Sequence, residues 1–226
     1  IFGGEGNDLM SVGGTLSVGQ VLGGSGNDSV VINGSLLGGA SVFGASASSP
    51  EEDNDSIVVG GISVAGVYGN SGADTLSVVG AVTSGTVLGG QGNDVLRLVN
   101  VASGVLEGGI GNDTVVMTGA LSGSATLFGG DSGNDPTDGG DLMSIAGAIS
   151  TAAVYGNGGD DTLVVSTASE RASLFGGSGN DSFGLVGTLV SSSYLGGSGN
   201  DTLMVGGLTS STIYGEDNFN TADGQD

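Results

Sequence analysis

Ten aspartates recur along this chain at nearly constant spacing, and they are the residues with chemistry to offer. They are Asp8, Asp28, Asp55, Asp74, Asp94, Asp113, Asp141, Asp161, Asp181 and Asp201, separated by 20, 27, 19, 20, 19, 28, 20, 20 and 20 residues. Most of them close a Gly-Gly-x-Gly-Asn-Asp string. It stands at Gly3–Asp8, Gly23–Asp28, Gly89–Asp94, Gly108–Asp113, Gly176–Asp181 and Gly196–Asp201, with looser copies at Gly69–Asp74 and Gly156–Asp161. A carboxylate beside a glycine turn can move protons or hold a cation. Repetition favours the cation: a catalytic constellation is unique in a chain, whereas identical loops repeat a structural task. A glycosidase-like carboxylate pair cannot be argued from identical loops. The chain has no His and no Cys, so the usual ligands of zinc, copper and iron–sulfur clusters are missing. Hard oxygen ligands remain, which implies calcium or magnesium.

Charge points the same way. Asp and Glu number 24 against two basic residues, Arg97 and Arg171, for a net charge of −22. A chain without a basic patch has no affinity for nucleic acid and little for anionic membranes. No run of about 18 apolar residues offers a membrane span. The 50 glycines and the acidity raise disorder as an alternative, but Val, Leu and Ile recur at regular intervals. A chain this acidic folds only with counter-charge, and its own side chains do not supply it. About nine or ten dications would cancel most of the net charge.

The elements that must position the aspartates follow from the pattern after each one. Positions two and four beyond it read Met10/Val12, Val30/Ile32, Ile57/Val59, Leu76/Val78, Leu96/Leu98, Val115/Met117, Met143/Ile145, Leu163/Val165, Phe183/Leu185 and Leu203/Val205, all apolar. Alternation with period two predicts a strand with one buried face. A glycine turn follows, as at Gly13-Gly14, Asn33-Gly34 or Gly206-Gly207, and a second short strand runs into the next glycine pair. One such coil cannot bury its apolar face, but stacked coils can. The expected fold is all-β: a parallel β-solenoid of about eleven coils of ~20 residues, roughly 50 Å long. A single solenoid domain spans 1–226. Because the chain begins and stops inside motifs, it reads as a piece of a longer repeat array.

The loop has its own logic. A tight turn between stacked strands needs residues without a Cβ, and it aims several carbonyls at one spot. With the Asp carboxylate and oxygens from the next coil, about six ligands converge, which suits calcium better than octahedral magnesium. Motifs such as Gly23-Gly24-Ser25-Gly26-Asn27-Asp28-Ser29-Val30-Val31 resemble the hemolysin-type (RTX) nonapeptide repeat. The resemblance covers nearly the whole chain. It implies a right-handed parallel β-roll with calcium between turns, export from the cell, and folding on meeting calcium. It makes the ten aspartates calcium ligands, with loop carbonyls from residues such as Gly24, Gly26, Gly90, Gly92, Gly177, Gly179, Gly197 and Gly199. The chain departs from that family in one respect. Only one loop per 20-residue coil fits the motif, so one row of about nine or ten ions is expected, along one edge only. Locally, Ala73 precedes Asp74, and Asp160 stands where Asn is usual.

Two features lie outside the motif. A column just before each glycine pair reads Phe2, Leu22, Phe43, Tyr68, Leu88, Glu107, Phe128, Tyr155, Phe175, Leu195 and Tyr214, and holds seven of the ten aromatics. Alternation puts it outside, with the neighbouring Val/Leu column inside. It reads as a contact stripe for self-association or as a ladder that shields the sheet. Acidic insertions fall at 45–54, 131–140 and 216–225, in every fourth coil, and should project from the calcium edge. Val67-Tyr68-Gly69-Asn70 and Val154-Tyr155-Gly156-Asn157 follow the first two, giving an 87-residue super-repeat from Tyr68 to Tyr155. The insertions either hold further cations, bridge molecules or are simply solvated.

The function expected from the sequence is non-enzymatic: an extracellular or cell-surface calcium-binding structural repeat of surface-layer, filament or stalk type. An adhesin, or the secretion module of a larger toxin or enzyme, is the alternative. Ice binding needs a flat threonine array. Thr75, Thr114, Thr162 and Thr202 begin one, but Leu9, Ser29, Val95 and Leu142 interrupt it.

Overall fold

The computed structural model describes residues 1–45, 53–132 and 138–216. It contains strands and turns only, and every pairing between strands is parallel. The alternation after each aspartate does what the sequence predicts. Val30, Ile57, Leu76, Leu96, Val115, Met143, Leu163 and Phe183 stack in register, one per coil, and all are buried. The column before the glycine pairs lies in a second sheet. There the neighbouring Val21, Val42, Val67, Val87, Leu106, Leu127, Val154 and Leu174 face inward. Tyr194 follows in this inner column, before the exposed Ile213, and meets Phe183 edge-on across the core at 5.3 Å.

The structure adds a third rung to each coil. After the Gly turn, Leu36, Ile62, Val82, Val101, Leu121 and Ile149 pair from coil to coil and are buried. A lone apolar residue flanked by small polar ones leaves no alternation to read, so this rung looks like turn in the sequence. The core is thus lined from three sides by mid-sized aliphatic side chains. Each ladder buries apolar area that no isolated coil could hide, which is the cohesive term of a solenoid.

The Phe2-to-Tyr214 column lies outside, as alternation requires, with Glu107 in its register between Leu88 and Phe128. Its rings stack face to face along the axis: Phe43 on Tyr68 at 4.8 Å, and Phe128, Tyr155 and Phe175 at 5.0 and 4.6 Å. Each ring face is covered by the next, so the stacks present ring edges outward. Ring faces in contact at this distance stabilise the coil stack itself.

Candidate metal centre

The ten aspartates fall on one edge, one above another, where each coil passes from the second sheet to the first. All but Asp8 are at least nine-tenths buried. The main-chain N–H of each donates to Oδ1 of the aspartate one coil ahead. The rungs run Asp8 to Asp28, Asp28 to Asp55, Asp55 to Asp74, Asp74 to Asp94, Asp94 to Asp113 and Asp113 to Asp141, each 2.7 Å long. They continue through Asp161 and Asp181 to Asp201 at 2.8, 2.8 and 2.9 Å. The ladder crosses both long coils without a break. Sequence spacing of 27 or 28 residues therefore hides a register as strict as that of the 20-residue coils.

The second carboxylate oxygen decides the chemistry. In the nine residues from Asp8 to Asp181, Oδ2 is buried and accepts no hydrogen bond. It points at the first glycine of its own motif, where main chain from the next coil also converges. A Cβ on Gly89 would stand 2.4 Å from Asp94 Oδ2 and 2.3 Å from the Gly108 carbonyl oxygen. At Gly23 the corresponding distances are 2.3 Å to Asp28 Oδ2 and 2.2 Å to the Gly44 carbonyl. Gly69, Gly156, Gly176 and Gly196 repeat the arrangement within 2.4 Å. A carboxylate oxygen and a main-chain carbonyl oxygen approach one spot, and the carboxylate oxygen accepts no hydrogen bond there. A buried carboxylate oxygen without a partner is costly, so the site calls for a proton or a cation.

The structure also places the glycines named from the sequence. Gly90, Gly92, Gly177, Gly179, Gly197, Gly199, Gly24 and Gly26 have φ between 105° and 128°. The left-handed turn directs the carbonyls of Gly90, Gly92, Gly177 and Gly179 at the glycines one coil ahead. A Cβ on Gly109, Gly111, Gly197 or Gly199 would meet them within 2.2 Å. Gly24 and Gly26 instead face Ala45 and Asp53 of the first long coil, and Gly197 faces Glu216. Among the described residues no three carboxylates converge on one point. Each gap between two ordinary coils offers one carboxylate and a set of main-chain carbonyls. That donor set is all oxygen and fits calcium, which accepts carbonyls readily and tolerates irregular geometry.

Three groups that sequence reasoning left unassigned complete the edge. The motif asparagines form an outer ladder running the other way: Asn7, Asn27 and Asn54 each accept the N–H of the following coil at 3.0, 2.8 and 2.6 Å. Asn93, Asn112 and Asn180 do the same, and Asp160 takes this part through Oδ1. Ala73 has no side-chain acceptor to offer, and there the outer ladder skips a rung while the aspartate ladder continues. Second, Asn70 and Asn157 adopt φ of 85° and 82° where the coils that follow them have Gly90 and Gly177. Their amides donate to the carbonyls of Ala45 and Asp131, at 2.6 and 2.7 Å, and so hold the root of the preceding insertion. That explains why the two asparagines follow the long coils. Third, Asp53 and Asp138, at the returning ends of the insertions, are buried against the row. The bulk of the insertions, 46–52, 133–137 and 217–226, lies outside the described residues, as does any projection they make.

Without a cation the row resists ionisation. Burial, opposed by the hydrogen bond from the preceding aspartate and reinforced by neighbouring carboxylates, pushes Asp55 up to about 6, Asp74 to about 7, Asp94 to about 8 and Asp161 to about 9. Asp113, Asp141 and Asp181 rise to about 7, 8 and 7, again chiefly by burial. Asp53 acts through space on Asp28, Asp55 and Asp74, and Asp138 on Asp113, Asp141 and Asp161. A folded pKa raised above the unfolded value of ~3.9 stabilises the fold at low pH, and that stability is lost as pH climbs through the raised values. In chelator, the β-signal in circular dichroism should therefore be stronger at pH 5 than at pH 9, with loss between pH 6 and 9. In calcium the dependence should reverse, since protons then compete with the ion. A chelated chain equally ordered at both pH values would contradict this.

The chain matches no protein-family model and no curated protein. It is similar to a solved structure, described as the X-ray crystal structure of a hyperactive, Ca2+-dependent, β-helical antifreeze protein from an Antarctic bacterium. The TM-score is 0.69 at 28% identity, and the match covers 86% of this chain and 59% of that one. The chain is thus a parallel β-solenoid with a calcium-dependent neighbour. It spans less than two thirds of that neighbour's length.

Proposed function

We propose that this chain is a calcium-rigidified repeat segment of an extracellular structural protein, of surface-layer, filament or stalk type. The observation that carries the reading is the row of buried, hydrogen-bond-free Oδ2 atoms, from Asp8 to Asp181, on one unbroken ladder. Nine repetitions of the same incomplete site make sense as a folding device and not as a catalytic one. Calcium in each gap would join two coils, so the ion row sets the stiffness of the rod. Extracellular fluid supplies calcium at the millimolar levels that weak, carbonyl-rich sites need. The aspartates and glycines above are the ligands in this reading, about one ion per gap.

A second reading takes its support from the antifreeze neighbour. The outward column beside the aspartates disfavours it. Thr75, Thr114, Thr162 and Thr202 there share the register with Leu9, Ser29, Val95, Leu142 and Ser182. Leu9 is 79% exposed, and the adjacent outward column holds Arg97 and Met204. Such a surface has no regular hydroxyl lattice. Calcium-loaded protein should show ordered rods, fibres or sheets by electron microscopy and no thermal hysteresis in an ice-growth assay. Hysteresis from dispersed monomers would overturn the structural reading in favour of ice binding.

A further inference from the structure

We propose that each of the two internal insertions builds a tight cation site into the row, distinct from the ordinary gaps, through Asp53 and Asp138. The inference rests on the calcium reading above and assigns a hierarchy within it. In ordinary coils the N–H of the fourth motif residue donates to a carbonyl of the next coil. Gly6 donates to Ser25, Gly72 to Gln91, Gly92 to Ile110 and Gly179 to Ser198, at 2.7 to 2.8 Å. Facing the long coils, the corresponding N–H donates to a carboxylate instead. Gly26 donates to Asp53 Oδ2 at 2.8 Å, and Gly111 to Asp138 Oδ1 at 2.9 Å. Asp138 also accepts the N–H of Gly139 and, through Oδ2, that of Asp131.

These carboxylates enter gaps that already hold an unpartnered one. Asp28 Oδ2 points between the second and third coils, where Gly26 also donates to Asp53, and Asp113 Oδ2 between the sixth and seventh, where Gly111 donates to Asp138; the carboxylates of each pair repel one another, and both Oδ2 atoms are buried and accept no hydrogen bond. The Gly44 and Gly129 carbonyls converge on those two oxygens from the long coils. An ordinary gap sets one carboxylate against a dication and retains an excess positive charge, repeated about every 4.8 Å along the row. Each such charge opposes the filling of the next. The gaps at Asp28/Asp53 and Asp113/Asp138 set two carboxylates against the same ion and carry no excess. They fill first and empty last. Their spacing of four coils makes them fixed points from which the row loads in both directions.

Equilibrium dialysis of the full chain against calcium-buffered solutions, with bound calcium counted by atomic emission, tests this. As free calcium falls, bound calcium should drop to a plateau of about two ions per chain, held down to roughly tenfold lower free calcium than the rest. Asp53→Asn and Asp138→Asn each keep an oxygen for the Gly26 or Gly111 N–H while removing the charge. Each should halve the plateau, and the double variant should abolish it. Glu170→Gln, which removes an exposed carboxylate away from the aspartate row, should leave it intact. Circular dichroism at saturating calcium reports whether a variant folds; where one does not, the wild-type plateau decides. A single uniform class of ions in the wild type, or a plateau that survives in the folded double variant, overturns the inference. A chain that binds no calcium at all overturns the calcium reading itself.

Discussion

Withdrawing calcium at pH 8 is expected to convert the ordered solenoid into a largely disordered chain. With the ions gone, the buried aspartates have three outcomes open to them. They can take up protons, but at pH 8 Asp55, Asp74, Asp113 and Asp181, pushed up to about 6, 7, 7 and 7, have lost most of theirs, Asp94 and Asp141 at about 8 have lost half, and only Asp161 at about 9 still holds its own. They can stay ionised in place, about 4.8 Å apart, at a cost of about 3 kcal/mol for each neighbouring pair at an effective dielectric of 20. Or the coils can separate. Globular domains are stable by only ~5–15 kcal/mol, so a few such pairs exceed what the apolar ladders hold in reserve. Each bound ion reverses this by mass action, and many sites on one cooperative rod multiply the effect. Circular dichroism should show β-structure in millimolar calcium and its loss on adding chelator, restored by excess calcium. A rod that keeps its full β-signal in chelator at pH 8 would show that the apolar ladders suffice alone.

Gly89→Ala should be nearly as damaging with calcium present. The new methyl group would stand 2.4 Å from Asp94 Oδ2 and 2.3 Å from the Gly108 carbonyl, both held by ladders to adjacent coils. Neither atom is the free end of a flexible side chain, so the coils must part or the carboxylate must leave its site. Overpacking of this kind costs ~3 kcal/mol or more, before any loss of the ions above and below. Gly184→Ala supplies the contrast. Its Cβ would meet only the Leu163 carbonyl, at 3.9 Å, on the outer face of the strand Ser182–Val190. There alanine should be neutral or stabilise by up to ~1 kcal/mol, since glycine weakens a strand. Thermal melts of the two variants in calcium should therefore diverge. Equal melting temperatures would remove the cradle at Gly89 from the account.

The apolar alternation after each aspartate places one sheet and its inner face, because period two leaves a single solution once one face is buried. The column before the glycine pairs was legible for the same reason, down to Glu107 on the outside. The spacing also puts the aspartates on one edge. What the sequence does not display is which coil a side chain answers to. Asp94 and Asn93 are neighbours, yet Asp94 accepts from Asp74 behind it and Asn93 from Asn112 ahead of it. Only the register between coils separates them. Asp53 and Asp138 read as insertion charge, since nothing local reveals that they accept the N–H groups of Gly26 and Gly111. Asn70 and Asn157 were visible as a matched pair, but their partners lie 25 and 26 residues back, across the insertions. The third rung was missed because one buried residue per coil, such as Val82 or Ile149, makes no pattern within its own strand.

Calcium ions are expected to stand in single file between coils on the aspartate edge. Long-wavelength anomalous diffraction from crystals grown in calcium tests this most directly. Such crystals should show one anomalous peak per gap between coils, in a row, each coordinated by the Oδ2 of an aspartate from Asp8 to Asp181. Aspartate oxygens with only water or protein beside them, or ions ordered along the opposite edge instead, would contradict it.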